Sequence, residues 1–168
     1  NSYDECVAWV TDQLKNVAGR LPMRRTGIDY GRATGVAAMA IRARLLLYAA
    51  SPQFNGGEQF KSLYADFKNP DGTQLISTTY DPNKWVIAAQ ACKEAIDWAR
   101  EPEANYDLYE ANVNSLPNYP EPTDLTQRSL RFTFVDKDNT PEVIWAFCKK
   151  ESYNYGLQGK SIPRLSTT

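Results

Sequence analysis

Among its 168 residues the chain has no histidine. That absence closes Ser-His and Cys-His nucleophilic catalysis and most zinc and copper sites. Cysteine is scarce as well. Cys6, Cys92 and Cys148 are odd in number and far apart, which fits neither a metal site nor a disulfide framework. They read as small apolar core positions. The apolar run around Val36–Ala40 falls well short of the roughly 18 residues that a spanning helix needs. Neither charge is in excess: 19 Lys+Arg stand against 20 Asp+Glu, so the basic footprint of a nucleic-acid binder is missing.

What is present describes a globular protein. Hydrophobic residues at 42% and charged residues at 23% support one domain with a real core. Four Trp and ten Tyr are plentiful, and rings with one polar edge suit wet binding surfaces. No signal peptide opens the chain and Leu165–Thr168 carries no stop, so it reads as an internal piece of something longer.

Local signals predict three long helices. Ser2-Tyr3-Asp4-Glu5 fits a capping box, and Cys6, Val10, Leu14 and Val17 trace one face of a helix over Tyr3–Ala18. Gly19 and Leu21-Pro22 end it. A second helix is expected over Ala33–Ala50, with the stripe Ala38, Ile41, Leu45 and Tyr48 beside a small-residue stripe of Ala33, Ala37 and Ala40. Alanine on this extra face lets two neighbours approach closely, which suits an inner helix, and Ser51-Pro52 stops it. A third runs from Asn83 to Arg100, capped by Asp81 or Asn83, with Trp85, Ala88, Ala89, Cys92 and Ile96 as its stripe. Its Trp-x-x-Ala-Ala-x-x-Cys spacing resembles the first helix of a tetratricopeptide-type pair.

The connections are read in the same way. A short helix follows Gly56-Gly57, and Asn69-Pro70-Asp71-Gly72 is a tight turn, with Phe67 and Leu75-Ile76 flanking a small hairpin. Prolines and asparagines across Glu101–Pro122 make mostly loop, with a short turn at Asp107–Ala111. A fourth helix is expected at Leu125–Phe134, and Glu142–Lys149 alternates like a buried strand or extended segment. The fold class is therefore mainly α: antiparallel helix pairs of tetratricopeptide-repeat type with irregular loops.

The residues from Gly31-Arg32-Ala33-Thr34-Gly35 through the alanine-rich helix to Ser51-Pro52-Gln53-Phe54-Asn55 closely resemble the signature helix of the SusD/RagB family. Tyr3-Asp4-Glu5-Cys6-Val7 and Leu21-Pro22 precede it in the family order, and Trp85-x-x-Ala-Ala-x-Ala follows. Thr140-Pro141-Glu142-Val143-Ile144-Trp145-Ala146 resembles the family's Asn-Pro-Glu-Val-Ile segment, with Asn139 displaced by one inserted position.

The resemblance implies a nutrient-binding lipoprotein on the extracellular face of the outer membrane of Bacteroidetes-type bacteria. Such a protein captures oligosaccharides as a lid on a SusC-type TonB-dependent transporter, and some relatives capture peptides. Residues 1–168 would then be a partial helical scaffold, without the lipidated N-terminus and the carboxyl-terminal part, and would expose apolar surface meant for absent segments. Membrane association would come only through the lipid anchor, outside this chain. A helical-repeat module that docks protein partners is the alternative outside the family.

Site candidates are weighed on chemistry. A glycosidase needs two carboxylates facing one bond. Asp4/Glu5, Glu101/Glu103 and Asp136/Asp138 sit in capping, solvated or turn contexts, so no catalysis and no cofactor are expected. Asp136-Lys137-Asp138-Asn139 lacks the glycine and distal glutamate of a calcium loop, so no metal is expected either. Trp85 is assigned to core packing, and Trp9 and Trp98 to helix packing. Arg44, between two apolar stripes, should pair with Asp12 or Glu94 of a neighbouring helix; Arg42 is its companion in the family pattern. Ligand contact is expected from loop aromatics. One loop is Tyr106–Tyr119, with Asn112, Asn114 and Asn118; the better one holds Tyr153, Asn154, Tyr155 and Gln158. If extended there, Tyr153 and Tyr155 share a face as a platform roughly 7 Å long.

Overall fold

The computed structural model describes residues 1–112, 123–133 and 140–146. Among these the protein is mainly helical: α1 (Tyr3–Ala18), α2 (Gly35–Ala50), α3 (Lys61–Tyr64), α4 (Asn83–Arg100) and α5 (Leu125–Phe132). None of them is long and apolar enough to cross a membrane.

Helix ends follow local chemistry closely. The capping box forms as expected: Glu5 N–H donates to Ser2 Oγ at 3.2 Å and Ser2 N–H to Glu5 Oε2 at 2.7 Å. Helix α2 starts two residues later than predicted, because Thr34 is extended and its Oγ1 caps Ala37 N–H at 3.1 Å. Asp81 accepts from Asn83 N–H at 2.9 Å and so opens α4. Asp124 caps Gln127 N–H at 2.8 Å and opens α5. The expected hairpin shrinks to one antiparallel bridge, Lys68–Gln74, around a turn in which Gly72 N–H donates to Asn69 C=O at 2.9 Å. No turn forms at 107–111, and residues 142–146 make bends with no strand.

Helix α2 packs against both α1 and α4 and is the inner helix. At one end, Gly35 lies under the last turn of α1, where an added Cβ would stand 2.7 Å from the Ala18 oxygen. At the other, the Phe54 ring stacks on Tyr3 with centroids 4.7 Å apart. These two contacts make α1 and α2 antiparallel. The same logic holds for α4: Asn55, beyond the end of α2, bonds Asp81 at the start of α4, while Val36 packs with Trp98 and Ala99 near its end. Trp98 touches the two buried clusters that contain Met39 and Val36, and so ties α4 to the first turn of α2.

The buried faces differ from those the sequence suggests. In α1 the buried residues are Val7, Thr11 and Ala18, while Cys6, Val10 and Val17 are exposed. The contact face is rotated by one residue, or roughly 100°. Thr11 is tolerated inside because its hydroxyl donates to Val7 C=O at 2.8 Å. In α4 the buried residues are Ala88 and Ala91, and Trp85, assigned to the core, is 40% exposed. Cys6 is likewise no core position, whereas Cys92 is half-buried. In α2, Ile41 and Tyr48 are exposed while Val36, Ala37, Met39, Ala43 and Ala50 are buried. Small side chains let the axes approach closely in α1 and α4, while α2 adds the bulkier Val36 and Met39 to the contact and Leu14 of α1 packs against Met39's cluster.

A charged latch crosses the three helices. Arg42, not Arg44, meets the neighbouring carboxylate: its Nη1 lies 2.7 Å from Glu94 Oε2, and Lys15 of α1 lies 3.8 Å from the same oxygen. Arg44 instead donates to the hydroxyl of Tyr48 at 3.0 and 3.1 Å. The two arginines stand about 200° apart around the helix, so only one of them can face α4. Burial pushes the Glu94 carboxyl up, but the Gln90 amide and the charges of Arg42 and Lys15 outweigh it and hold it below the ordinary carboxylate range. A lowered folded-state pKa means the folded protein favours the carboxylate. The stabilisation is therefore full above the unfolded value of about 4.3 and is lost as pH falls through the folded one. Glu94→Gln is expected to cost about 1 kcal/mol at pH 7 and almost nothing at about pH 2. Urea unfolding at both pH values checks this, and an equal loss at both would assign the effect to packing.

Candidate functional site

Among the described residues, α2 borders one concavity on each of two sides. The larger, of about 480 Å³, lies between α1 and the start of α4. Its apolar floor includes Val7, Leu46, Ala49 and Ile87, and no aromatic side chain lines it. Lys84 on its rim is paired with Asp4 at 2.6 Å and Arg42 with Glu94, so these cations are already satisfied.

The smaller, of about 350 Å³, runs along the opposite side of α2 and is chemically richer. Ala37, Ala40 and Ile41 form its floor, Arg44 stands on the helix side, and Thr133, Glu142, Val143, Ile144 and Trp145 form the other wall. That wall is irregular chain, and several long-range bonds position it. The Arg24 guanidinium donates to the carbonyls of Ala104, Asn105 and Thr140 at 3.2, 2.6 and 3.4 Å, and lies 4.6 Å over the Tyr106 ring. Asp107 N–H donates to Pro141 C=O at 3.3 Å. Burial pushes the Tyr106 hydroxyl up, with Arg24 offsetting part of that shift.

The wall's functional groups are held from behind. Trp145 Nε1–H donates to Gly31 C=O at 2.8 Å, which fixes the indole while leaving the residue 55% exposed. Glu142 Oε2 accepts from Thr133 Oγ1 at 2.9 Å and from Tyr109 N–H at 3.2 Å. Across the cleft, Arg44 lies 5.4 Å from the centroid of the Tyr48 ring and makes no ion pair among the described residues. The cleft thus offers an aromatic face, a donor and an acceptor over an apolar floor, which suits noncovalent binding of a small polar molecule.

The residues that sequence reasoning favoured for ligand contact are placed differently or lie elsewhere. Tyr153, Asn154, Tyr155 and Gln158 lie outside the described residues, as do Asn114, Asn118 and Tyr119. Tyr106 and Tyr109, at the start of the other loop, are buried and act as framework. Alternation over Glu142–Lys149 predicts a buried strand or extended segment and gives no sign of Trp145 as a surface group. Alternation along Val143, Trp145 and Phe147 carried no sign that Gly31, far away in sequence, would hold the ring edge outward.

The chain is similar in structure to BT4246, a protein of Bacteroides thetaiotaomicron, with a TM-score of 0.72 and 29% identity over 92% of this chain and 28% of that one. The selenomethionine form of BT4246 matches with a TM-score of 0.68 and 30% identity over 92% of this chain and 29% of that one. The chain therefore spans less than a third of the protein it resembles. No family model matches it, and no curated protein does.

Proposed function

We propose that this chain is the helical scaffold portion of a SusD/RagB-type protein that captures oligosaccharides at the cell surface without turning them over. The protein is held by a lipid anchor on the extracellular face of the outer membrane. It delivers its ligand to a SusC-type TonB-dependent transporter. The observation that carries this reading is the place of the signature helix. Gly35–Ala50 is the inner helix, flanked by α1 and α4, in a fold similar over nearly its whole length to a Bacteroides protein. The bare indole beside that helix adds a surface suited to sugar C–H faces.

The test is calorimetric titration of the protein with a panel of oligosaccharides and a panel of short peptides, alongside chromatography of the recovered glycans. Binding of one glycan class with its chain length unchanged supports the reading. Binding of peptides alone transfers the protein to the peptide-capturing branch, and shortened glycans make it an enzyme. Co-purification with a large outer-membrane β-barrel tests the transporter partner, and a stable complex with other proteins alone favours a docking module.

A further inference from the structure

Tryptophan exposed by half its surface is ordinarily mobile, yet Trp145 is fixed at its edge by the 2.8 Å bond from Nε1 to Gly31 C=O. The face of the ring is bare and its orientation is set, so little conformational entropy remains to be lost on stacking. Trp9 is more exposed, but it lines neither concavity beside α2. Among the described aromatics, Trp145 alone lines the smaller cleft.

Two polar groups complete the surface. Arg44 uses Nε and Nη2 on the Tyr48 hydroxyl, and its Nη1 remains a donor with no partner among the described residues. Glu142 uses Oε2 on Thr133 and Tyr109, and its Oε1 remains an acceptor with none. A hydroxyl both donates and accepts, so a ligand carrying neighbouring hydroxyls satisfies both groups at once. A purely apolar ligand would strand them, at a desolvation cost. The charges of Arg44 and Glu142 cancel within the cleft. A carboxylate drawn to Arg44 enters a space that already contains Glu142, and an amine drawn to Glu142 meets Arg44. The volume lies near the lower end of the roughly 300–1,000 Å³ range of small-molecule sites, which fits one or two sugar rings.

We propose that this cleft is a subsite for a neutral pyranose unit, with the sugar's C–H face on Trp145 and adjacent hydroxyls shared between Arg44 and Glu142. The assignment rests on the glycan-capture reading above and adds to it a location and a charge class.

The experiment titrates the protein and its Trp145→Ala, Arg44→Ala and Trp9→Ala variants with maltohexaose, cellohexaose, xylohexaose and mannohexaose, and with oligogalacturonate as the acidic probe. A neutral hexaose should bind, Trp145→Ala and Arg44→Ala should each weaken it by about tenfold with unchanged melting, and Trp9→Ala should leave it within about twofold. Arg44 is exposed, so its variant decides the matter even if Trp145→Ala fails to fold. Full affinity in Arg44→Ala, or in a folded Trp145→Ala, overturns the subsite and leaves glycan capture standing. Preference for oligogalacturonate overturns the neutral class. Absence of binding to every saccharide removes the glycan reading and the subsite with it.

Discussion

Gly56→Ala is expected to lower the unfolding free energy by about 3–5 kcal/mol, with contributions from backbone strain and from overlap. Gly56 has φ +62°, in the left-handed region, where an L side chain costs roughly 1–2 kcal/mol. The Cβ of an alanine there would also stand 2.3 Å from the Thr79 carbonyl carbon and 2.5 Å from the Tyr80 nitrogen. Both obstacles are backbone, so no side chain can swing aside.

The neighbouring contacts prevent an easy shift of either strand of chain. Asn55 is fully buried; its amide donates to Asp81 C=O at 2.8 Å and to Ala50 C=O at 3.3 Å, and it accepts from Asp81 N–H at 2.9 Å. These bonds join the end of α2 to the start of α4, and the whole α2–α4 pairing depends on that corner. Urea unfolding followed by circular dichroism checks the prediction. A loss below about 1 kcal/mol would mean that the corner yields without cost, and the structural account of this junction would then fail.

Phe132→Ala is expected to cost about 3–5 kcal/mol, in the range of large-to-small changes at closed core sites. Phe132 is 1% exposed, packs with Tyr109 and Ala111, and lies under the Arg128 guanidinium at 4.7 Å from the ring centroid. It anchors α5, which is also tied by the Ala111 N–H donated to Ser129 Oγ at 2.9 Å and by Arg128 Nε–H donated to Asn112 C=O at 3.3 Å. Thr133 follows directly and donates to Glu142, so the cavity left by Phe132 should also loosen one wall of the cleft. Phe132→Leu, which keeps most of the volume, should lose less than half as much stability. Hydrogen exchange at Ala111 and thermal melting measure the two effects, and wild-type protection at Ala111 in the alanine variant would remove Phe132 from this role.

Some of this was legible residue by residue. The bounds of α1 and α4 and the capping box at Ser2 and Glu5 were read correctly from sequence, and α2 was misplaced only by its cap at Thr34. Helix ends are legible because a short segment contains both the orphan N–H groups and the side chains that satisfy them. The inner position of α2 is equally readable, since alanine along an extra face beside the apolar stripe admits a second neighbour.

Which face each helix buries was decided only by tertiary structure. The periodicity of each helix points to Cys6, Val10, Trp85 and Ile96 beside Ala88, whereas the folded protein keeps Ala88 and closes over Thr11, Ala18 and Ala91. Close approach of two helix axes depends on the shape of both partners, and one helix's periodicity carries only half of that information. The cleft shows the same division more sharply. Arg44 lies far along the chain from Glu142 and Trp145, and the bonds that position them come from Tyr48, Thr133, Tyr109 and Gly31. The sequence by itself determined the helices and their order; the site exists only because long-range packing and hydrogen bonds, invisible to local pattern, hold one indole bare beside a cation and a carboxylate.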